Sequence, residues 1–169
     1  MNVVLIGYRG TGKSTVGKLL AARLHRPLIS TDAEIVRRAG RPVPQIVKEC
    51  GWEHFRDLET QVCKEVGERD GLIIDTGGGA ILRPQNVAAL KARGTLFWLT
   101  AAVSSIQARI GDDSQRPSLT GGRSFLDEIE EVLKEREPLY RAAADFTIPT
   151  DGRPTDEVAQ AILTQLQGL

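Results

Sequence analysis

The chain has 169 residues, 41% of them apolar and 26% charged, which is enough for one buried core and is ordinary globular composition. Its 22 basic residues balance 22 acidic ones, and no long basic run suggests a nucleic-acid partner. No apolar run approaches membrane-spanning length, and Met1-Asn2 leads directly into an apolar stretch without a basic, cleavable leader. A cytoplasmic protein is expected, with neither nucleic acid nor membrane as a partner. Cys50 and Cys63 fit no zinc-binding spacing and read as reduced packing or surface thiols.

In chain order, the first apolar run is residues 3–6, a strand. It feeds Gly7-Tyr8-Arg9-Gly10-Thr11-Gly12-Lys13-Ser14, which fills every position of the Walker A pattern. Val16, Leu19, Leu20 and Leu24 follow at helical spacing, so the motif lies between strand and helix, the context that supports it. Glycines there let backbone N–H groups wrap around phosphate oxygens, and the helix N-terminus favours their charge. The nucleotide contacts then fall on Gly10, Thr11, Gly12, Lys13, Ser14 and Thr15. Lys13 is placed for the β- and γ-phosphates, and the Ser14 hydroxyl for Mg²⁺. This predicts a nucleoside triphosphate site. The chain lacks the Asn/Thr-Lys-x-Asp pattern that reads guanine, and a small ATP-dependent kinase is the simplest class.

Residues 27–29 form the second predicted strand, ending at Ser30-Thr31-Asp32-Ala33-Glu34. Two readings of Asp32 stand side by side. Thr31 and Glu34 have the spacing of a capping box, which would leave Asp32 as a first-turn carboxylate favouring the helix dipole. Alternatively, Asp32 faces a ligand. Residues 32–70 read as a helical insertion broken at Gly40-Arg41-Pro42 and near Gly51, large enough to form one wall of a site. It carries Arg56, with Glu59 three residues on and so on the same helical face.

The third strand, residues 72–74, leads through Asp75 to Gly77, Gly78 and Gly79. A glycine run at the C-terminal end of a parallel strand lets a ligand lie against backbone. Asp75 is placed like the aspartate that holds Mg²⁺ across a P-loop, or else it only begins the turn. A fourth strand spans residues 96–99. Residues 111–124 are polar, Gly-rich and poor in core residues, as suits a mobile lid, and include Arg116. Arg136-Glu137-Pro138-Leu139-Tyr140 lies on a late helix, the fifth strand spans residues 146–148, and Val158, Ile162 and Leu166 mark the last helix. Alternating strands and helices predict an α/β, three-layer fold with a mainly parallel sheet covered on both faces. No repeat or linker divides the chain, so residues 1–169 are expected to form a single domain.

Asp32, Phe55-Arg56, Glu59, Gly77-Gly78-Gly79, Arg116-Pro117 and the run from Arg136 to Tyr140 occur, with Walker A, in the order found in shikimate kinases. The resemblance runs from the first strand to about Arg153. It implies a five-stranded P-loop kinase fold similar to that of nucleoside monophosphate kinases. It also implies phosphorylation of the shikimate 3-hydroxyl by ATP with Mg²⁺, on the route to chorismate and the aromatic amino acids. By the same resemblance, Arg56 and Arg136 hold the shikimate carboxylate, Glu59 orients Arg56, and Asp32 meets the hydroxyls. Gly77, Gly78 and Gly79 line the acceptor, Arg116 is the lid arginine, and Arg109 and Arg153 flank adenine. A monomer is expected.

Two positions depart from the family pattern. The family has two aspartates separated by one residue after the second strand, and here the first is Ser30, a poorer partner for a hard dication. Asp57 stands where many members have a second arginine. The rival readings are a gluconate or nucleoside monophosphate kinase of the same fold and, more distantly, a nucleotide-binding module without catalysis.

Overall fold

The computed structural model describes residues 1–111 and 125–169. Its five strands are β1 (Asn2–Ile6), β2 (Leu28–Ser30), β3 (Ile73–Asp75), β4 (Gly94–Thr100) and β5 (Phe146–Pro149). They form one all-parallel sheet in the order β2-β3-β1-β4-β5. The helices are α1 (Lys13–Leu24), α2 (Thr31–Ala39), α3 (Val43–Glu68), α4 (Pro84–Lys91), α5 (Val103–Ile110), α6 (Phe125–Ala143) and α7 (Thr155–Gln167). This is the predicted α/β architecture.

β1 lies between β3 and β4 and is wholly buried, which explains its apolar run from Val3 to Ile6. Alternate side chains feed two cores. Val3 and Leu5 pack with Val16 and Leu20 of α1 and Val158 and Ile162 of α7. Val4 and Ile6 pack with Ile35 of α2, Phe55 and Val62 of α3, and Tyr140 of α6. Each fully buried residue of this kind contributes about 1.5–3 kcal/mol relative to its exposed state. Because all strands are parallel, their C-terminal ends share one rim, where ligands bind in open α/β sheets.

β2 and β3 each run one residue beyond the C-terminal end predicted from apolar character. The register pairs Ser30 with Asp75, so both polar residues are strand ends rather than the starts of turns. The capping box is also corrected. Ser30 is the N-cap of α2, its Oγ accepting from Ala33 N at 3.2 Å. Thr31 is fully buried, and its Oγ1 accepts from Gly77 N at 2.9 Å, so it is engaged across the sheet. Glu34 instead pairs with Arg37 and Arg38.

The insertion is helical as expected. α2 ends at Gly40 (φ 69°), and α3 bends at Gly51, whose φ of 83° and ψ of 167° lie outside the helical region. Residues 112–124, including Arg116 and most of the predicted lid, lie outside the described residues. Among the described residues no helix is long and apolar enough to cross a membrane.

Candidate active site

The loop joining β1 to α1 carries the phosphate-binding signature, and its glycines supply backbone that other residues rarely adopt. Gly10 and Gly12 have φ of 81° and 93°. Lys13 is buried, and its Nζ donates to the carbonyls of Gly7 (2.8 Å) and Tyr8 (3.0 Å). Thr11 Oγ1 donates to Tyr8 O at 2.8 Å, bracing the same turn. Two clefts meet at this loop. One, of about 320 Å³, is lined by Lys13, Ser14, Ser30, Asp32 and Asp75 among others. The other, of about 360 Å³, is lined by Thr15, Arg109, Thr150, Arg153 and Pro154, and shares Gly10 and Gly12 with the first.

The second cleft is built by arginines tied to backbone. Arg109 donates to Gly10 O (3.2 Å), Thr150 Oγ1 (3.0 Å) and Thr150 O (3.3 Å), binding the phosphate loop to the end of β5. Arg153 donates to Pro149 O at 3.0 Å. Their aliphatic and guanidinium surfaces border a slot open to the phosphate loop. Thr150, which no sequence pattern marks, joins Arg109 to Thr100 O through its hydroxyl.

In the first cleft, the Ser14 hydroxyl donates to Asp75 Oδ2 at 2.7 Å. Asp75 is 6% exposed and sits at the end of β3, level with Ser30 on β2. Magnesium usually takes one or two protein oxygens and completes its octahedron with waters and substrate phosphates. A serine hydroxyl beside a carboxylate, next to the phosphate loop, is a donor set of that kind. Among the described residues no group of three or more His, Cys, Asp or Glu could hold a metal entirely by protein.

Beyond Asp32 lies a polar chamber shaped by the three glycines, each of which clears a different side chain. A Cβ on Gly77 would stand 2.5 Å from Asp32 Oδ1 and 2.9 Å from Glu59 Oε2. One on Gly78 would stand 3.5 Å from Arg136 Nη1. One on Gly79 would fall among the guanidinium atoms of Arg56, closer than a real side chain comes. The loop itself is pinned by the Gly77 N–H to Thr31 and by Tyr140, whose hydroxyl donates to Gly78 O at 2.5 Å. Burial pushes the Tyr140 phenol up to about 12, so it remains a donor. Neither tether was visible in the sequence, because both join segments far apart in the chain.

Arg56 lies over the rings of Trp52 and Phe55, with its carbon Cζ 5.1 and 5.3 Å from their centroids. Its Nη1 donates to Glu59 Oε1 at 2.9 Å, the pairing that the three-residue spacing predicts. Arg136, on α6, is 7% exposed. Asp57 turns away from the chamber to meet Arg83 at 2.8 Å, so the family departure at this position leaves Arg56 in place. Burial pushes the Glu59 carboxyl above its usual range, with Asp32 adding to the rise and Arg56 and Arg136 opposing it. Burial also pushes the Cys63 thiol up to about 12, so this cysteine is a packing residue.

The structure thus brings Lys13, Ser14, Asp32 and Asp75 to one cleft, and Asp32, Arg56, Arg136 and the three glycines to the chamber beside it. Such a site offers a phosphate cradle, a carboxylate where the cleft meets the chamber, and a buried and a part-buried cation at the far end.

Known proteins match this arrangement along the chain. The family model described as shikimate kinase matches residues 9–167. A shikimate kinase of Syntrophus aciditrophicus is 41% identical, over 98% of this chain and 91% of its own length. The structure of a shikimate kinase from Acinetobacter baumannii in complex with shikimate superposes with a TM-score of 0.94 at 37% identity, covering 99% of this chain and 93% of that one. A gluconokinase from Sinorhizobium meliloti, at 18% identity and a TM-score of 0.58, shares the fold alone. The chain belongs to the shikimate kinase family.

Proposed function

We propose that the protein transfers the γ-phosphate of ATP to the 3-hydroxyl of shikimate, giving 3-phosphoshikimate and ADP for aromatic amino acid biosynthesis. The observation that carries this reading is the convergence of Arg56 and Arg136 on the glycine loop, with Asp32 on the side facing the phosphate cradle. A guanidinium pair grips a carboxylate through charge-assisted hydrogen bonds. An acceptor with a carboxylate at one end and a hydroxyl at the other then has that hydroxyl beside Asp32.

In this mechanism Gly10, Thr11, Gly12 and Thr15 surround the phosphates, and Lys13 leaves its loop carbonyls to meet the β- and γ-oxygens. Arg109 and Arg153 flank the base. Ser14 and Asp75 would hold Mg²⁺, the first through its hydroxyl and the second through its carboxylate. There it would supply positive charge against the phosphate oxygens during transfer. The acceptor oxygen attacks phosphorus as the bond to the bridging β–γ oxygen breaks, and Asp32 orients the hydroxyl and receives its proton. Arg116 neutralises the γ-oxygens from the segment beyond α5. The N–H of Gly77 is committed to Thr31, so donation to the acceptor falls to Gly78 and Gly79. We further propose that residues 1–169 act as one cytoplasmic, monomeric kinase domain, with residues 32–70 as the acceptor wall and 111–124 as the lid.

Acceptor-dependent ADP production, measured with shikimate, gluconate and nucleoside monophosphates in parallel, tests the reading. Turnover with shikimate alone is expected. Turnover with another acceptor, or with none, overturns it.

A further inference from the structure

Glu59 has a second carboxylate oxygen that its ion pair with Arg56 does not use. Oε1 accepts from Arg56 Nη1 at 2.9 Å. Oε2 is sealed from solvent and has no hydrogen-bond donor among the described residues, in a side chain that is wholly buried. An ionised oxygen left in that state is costly. Its neighbour is itself a carboxylate: Glu59 Oε2 and Asp32 Oδ1 lie 2.9 and 2.5 Å from the point that a Gly77 Cβ would occupy.

Two carboxylates converging on one glycine do not ionise independently. A proton on Glu59 Oε2 removes the conflict. It turns the oxygen into a donor on the same side of Gly77 that Asp32 Oδ1 borders, and leaves Oε1 for Arg56. The groups around Glu59 divide in their effect. Arg56 of α3 and Arg136 of α6 favour its anion, whereas burial and Asp32 of α2 favour the neutral acid. Cys63, also on α3, stays a neutral thiol and adds no charge.

We propose that Glu59 is a proton-linked positioning residue: a carboxylate-bearing acceptor that settles on Arg56 and Arg136 draws one proton from solvent onto Glu59, where it is shared with Asp32. This rests on the shikimate reading above. The physical cause is competition for the two cations. They are what supports the Glu59 anion, and an incoming carboxylate takes over their field. The neutral Glu59 then donates to Asp32, which fixes the position of that side chain beside the acceptor hydroxyl.

The sign follows from linkage. Glu59 has a lower pKa in the free enzyme than in the complex, so between the two values binding takes up one proton and affinity falls as pH rises, by up to about tenfold per pH unit. Shikimate itself is ionised throughout this window, since a carboxyl titrates near pH 4.

The test is calorimetric titration of the full chain with shikimate, in buffers of differing ionisation enthalpy, from about pH 6 to about pH 9, the range documented for buried glutamates. Wild type is expected to take up close to one proton per shikimate at some pH in that range, with Kd rising alongside. Glu59→Gln places an amide donor toward Asp32 and is expected to bind shikimate with no proton uptake and a Kd flat across the range. Should that variant not fold, Asp32→Asn removes the second carboxylate and is expected to diminish the uptake. Tight binding by wild type without proton uptake at any pH overturns the proposal, as does uptake that persists in Glu59→Gln. Absence of shikimate binding by wild type overturns the shikimate reading and this inference with it.

Discussion

Asp75→Asn keeps the shape of the strand end and its acceptor for Ser14 while removing the charge. In the structure Asp75 is 6% exposed and accepts from Ser14 Oγ at 2.7 Å, so its charge acts in a poorly screened place. Hydrogen bonds to charged groups are worth about 1.5–3 kcal/mol. At about 1.4 kcal/mol per tenfold, the substitution should raise the Mg²⁺ concentration for half-maximal rate by about ten- to a hundredfold and lower kcat. Shikimate affinity should change little. The register offers a sharper test. Ser30 stands opposite Asp75 on the neighbouring strand, about 4.8 Å away, and aspartate is as good an N-cap as serine. Adding Ser30→Asp to Asp75→Asn therefore returns a carboxylate to the rim without uncapping α2, and should recover most of the loss. Binding of Mn²⁺ in the presence of ADP, followed by electron paramagnetic resonance, reads metal affinity independently of turnover. Identical Mn²⁺ curves for wild type and Asp75→Asn, or a double variant no better than the single one, would refute the reasoning and leave Asp75 as a structural partner of Ser14.

Arg56→Ala or Arg136→Ala should weaken shikimate binding by about 2–4 kcal/mol in calorimetry and leave nucleotide binding nearly unchanged, since each removes half of a charge-assisted grip. Gly79→Ala should displace the Arg56 guanidinium, raising the shikimate KM at least tenfold while the melting temperature moves little, because the far end of a flexible side chain gives way. Glu34 accepts from Arg37 and Arg38, which hold its carboxyl down at about 2 against an ordinary 4.5. Its stabilisation is present above the ordinary range and lost as pH falls through the window between those values. Thermal melts of wild type and Glu34→Gln should thus differ at neutral pH and converge near pH 2.

The parts of this fold that sequence reveals are those written locally. Walker A is eight consecutive residues, the Arg56–Glu59 pair is a helical interval, and the five apolar runs are strands wherever they occur. The rest depends on contacts between distant segments. Thr31 reads as a helix cap until the Gly77 N–H, from the neighbouring strand's end, is found to occupy its hydroxyl. Tyr140 looks like one apolar position of a late helix until its hydroxyl is seen on Gly78 O. Ser30 and Asp75 are 45 positions apart in the chain, and only the strand register shows that they are neighbours.

Gly77, Gly78 and Gly79 each border a group from a different helix: Asp32 from α2, Arg136 from α6 and Arg56 from α3. The acid and the two cations are therefore spaced against one shared datum rather than against one another. On the proposed function, the loop works as a gauge, setting how far apart a carboxylate and a hydroxyl must be on an acceptor that fits. The three helices are free to drift in sequence along their outer faces without altering that measurement. On that proposal, the most exacting element of acceptor choice in this chain is carried by three residues that have no side chains at all.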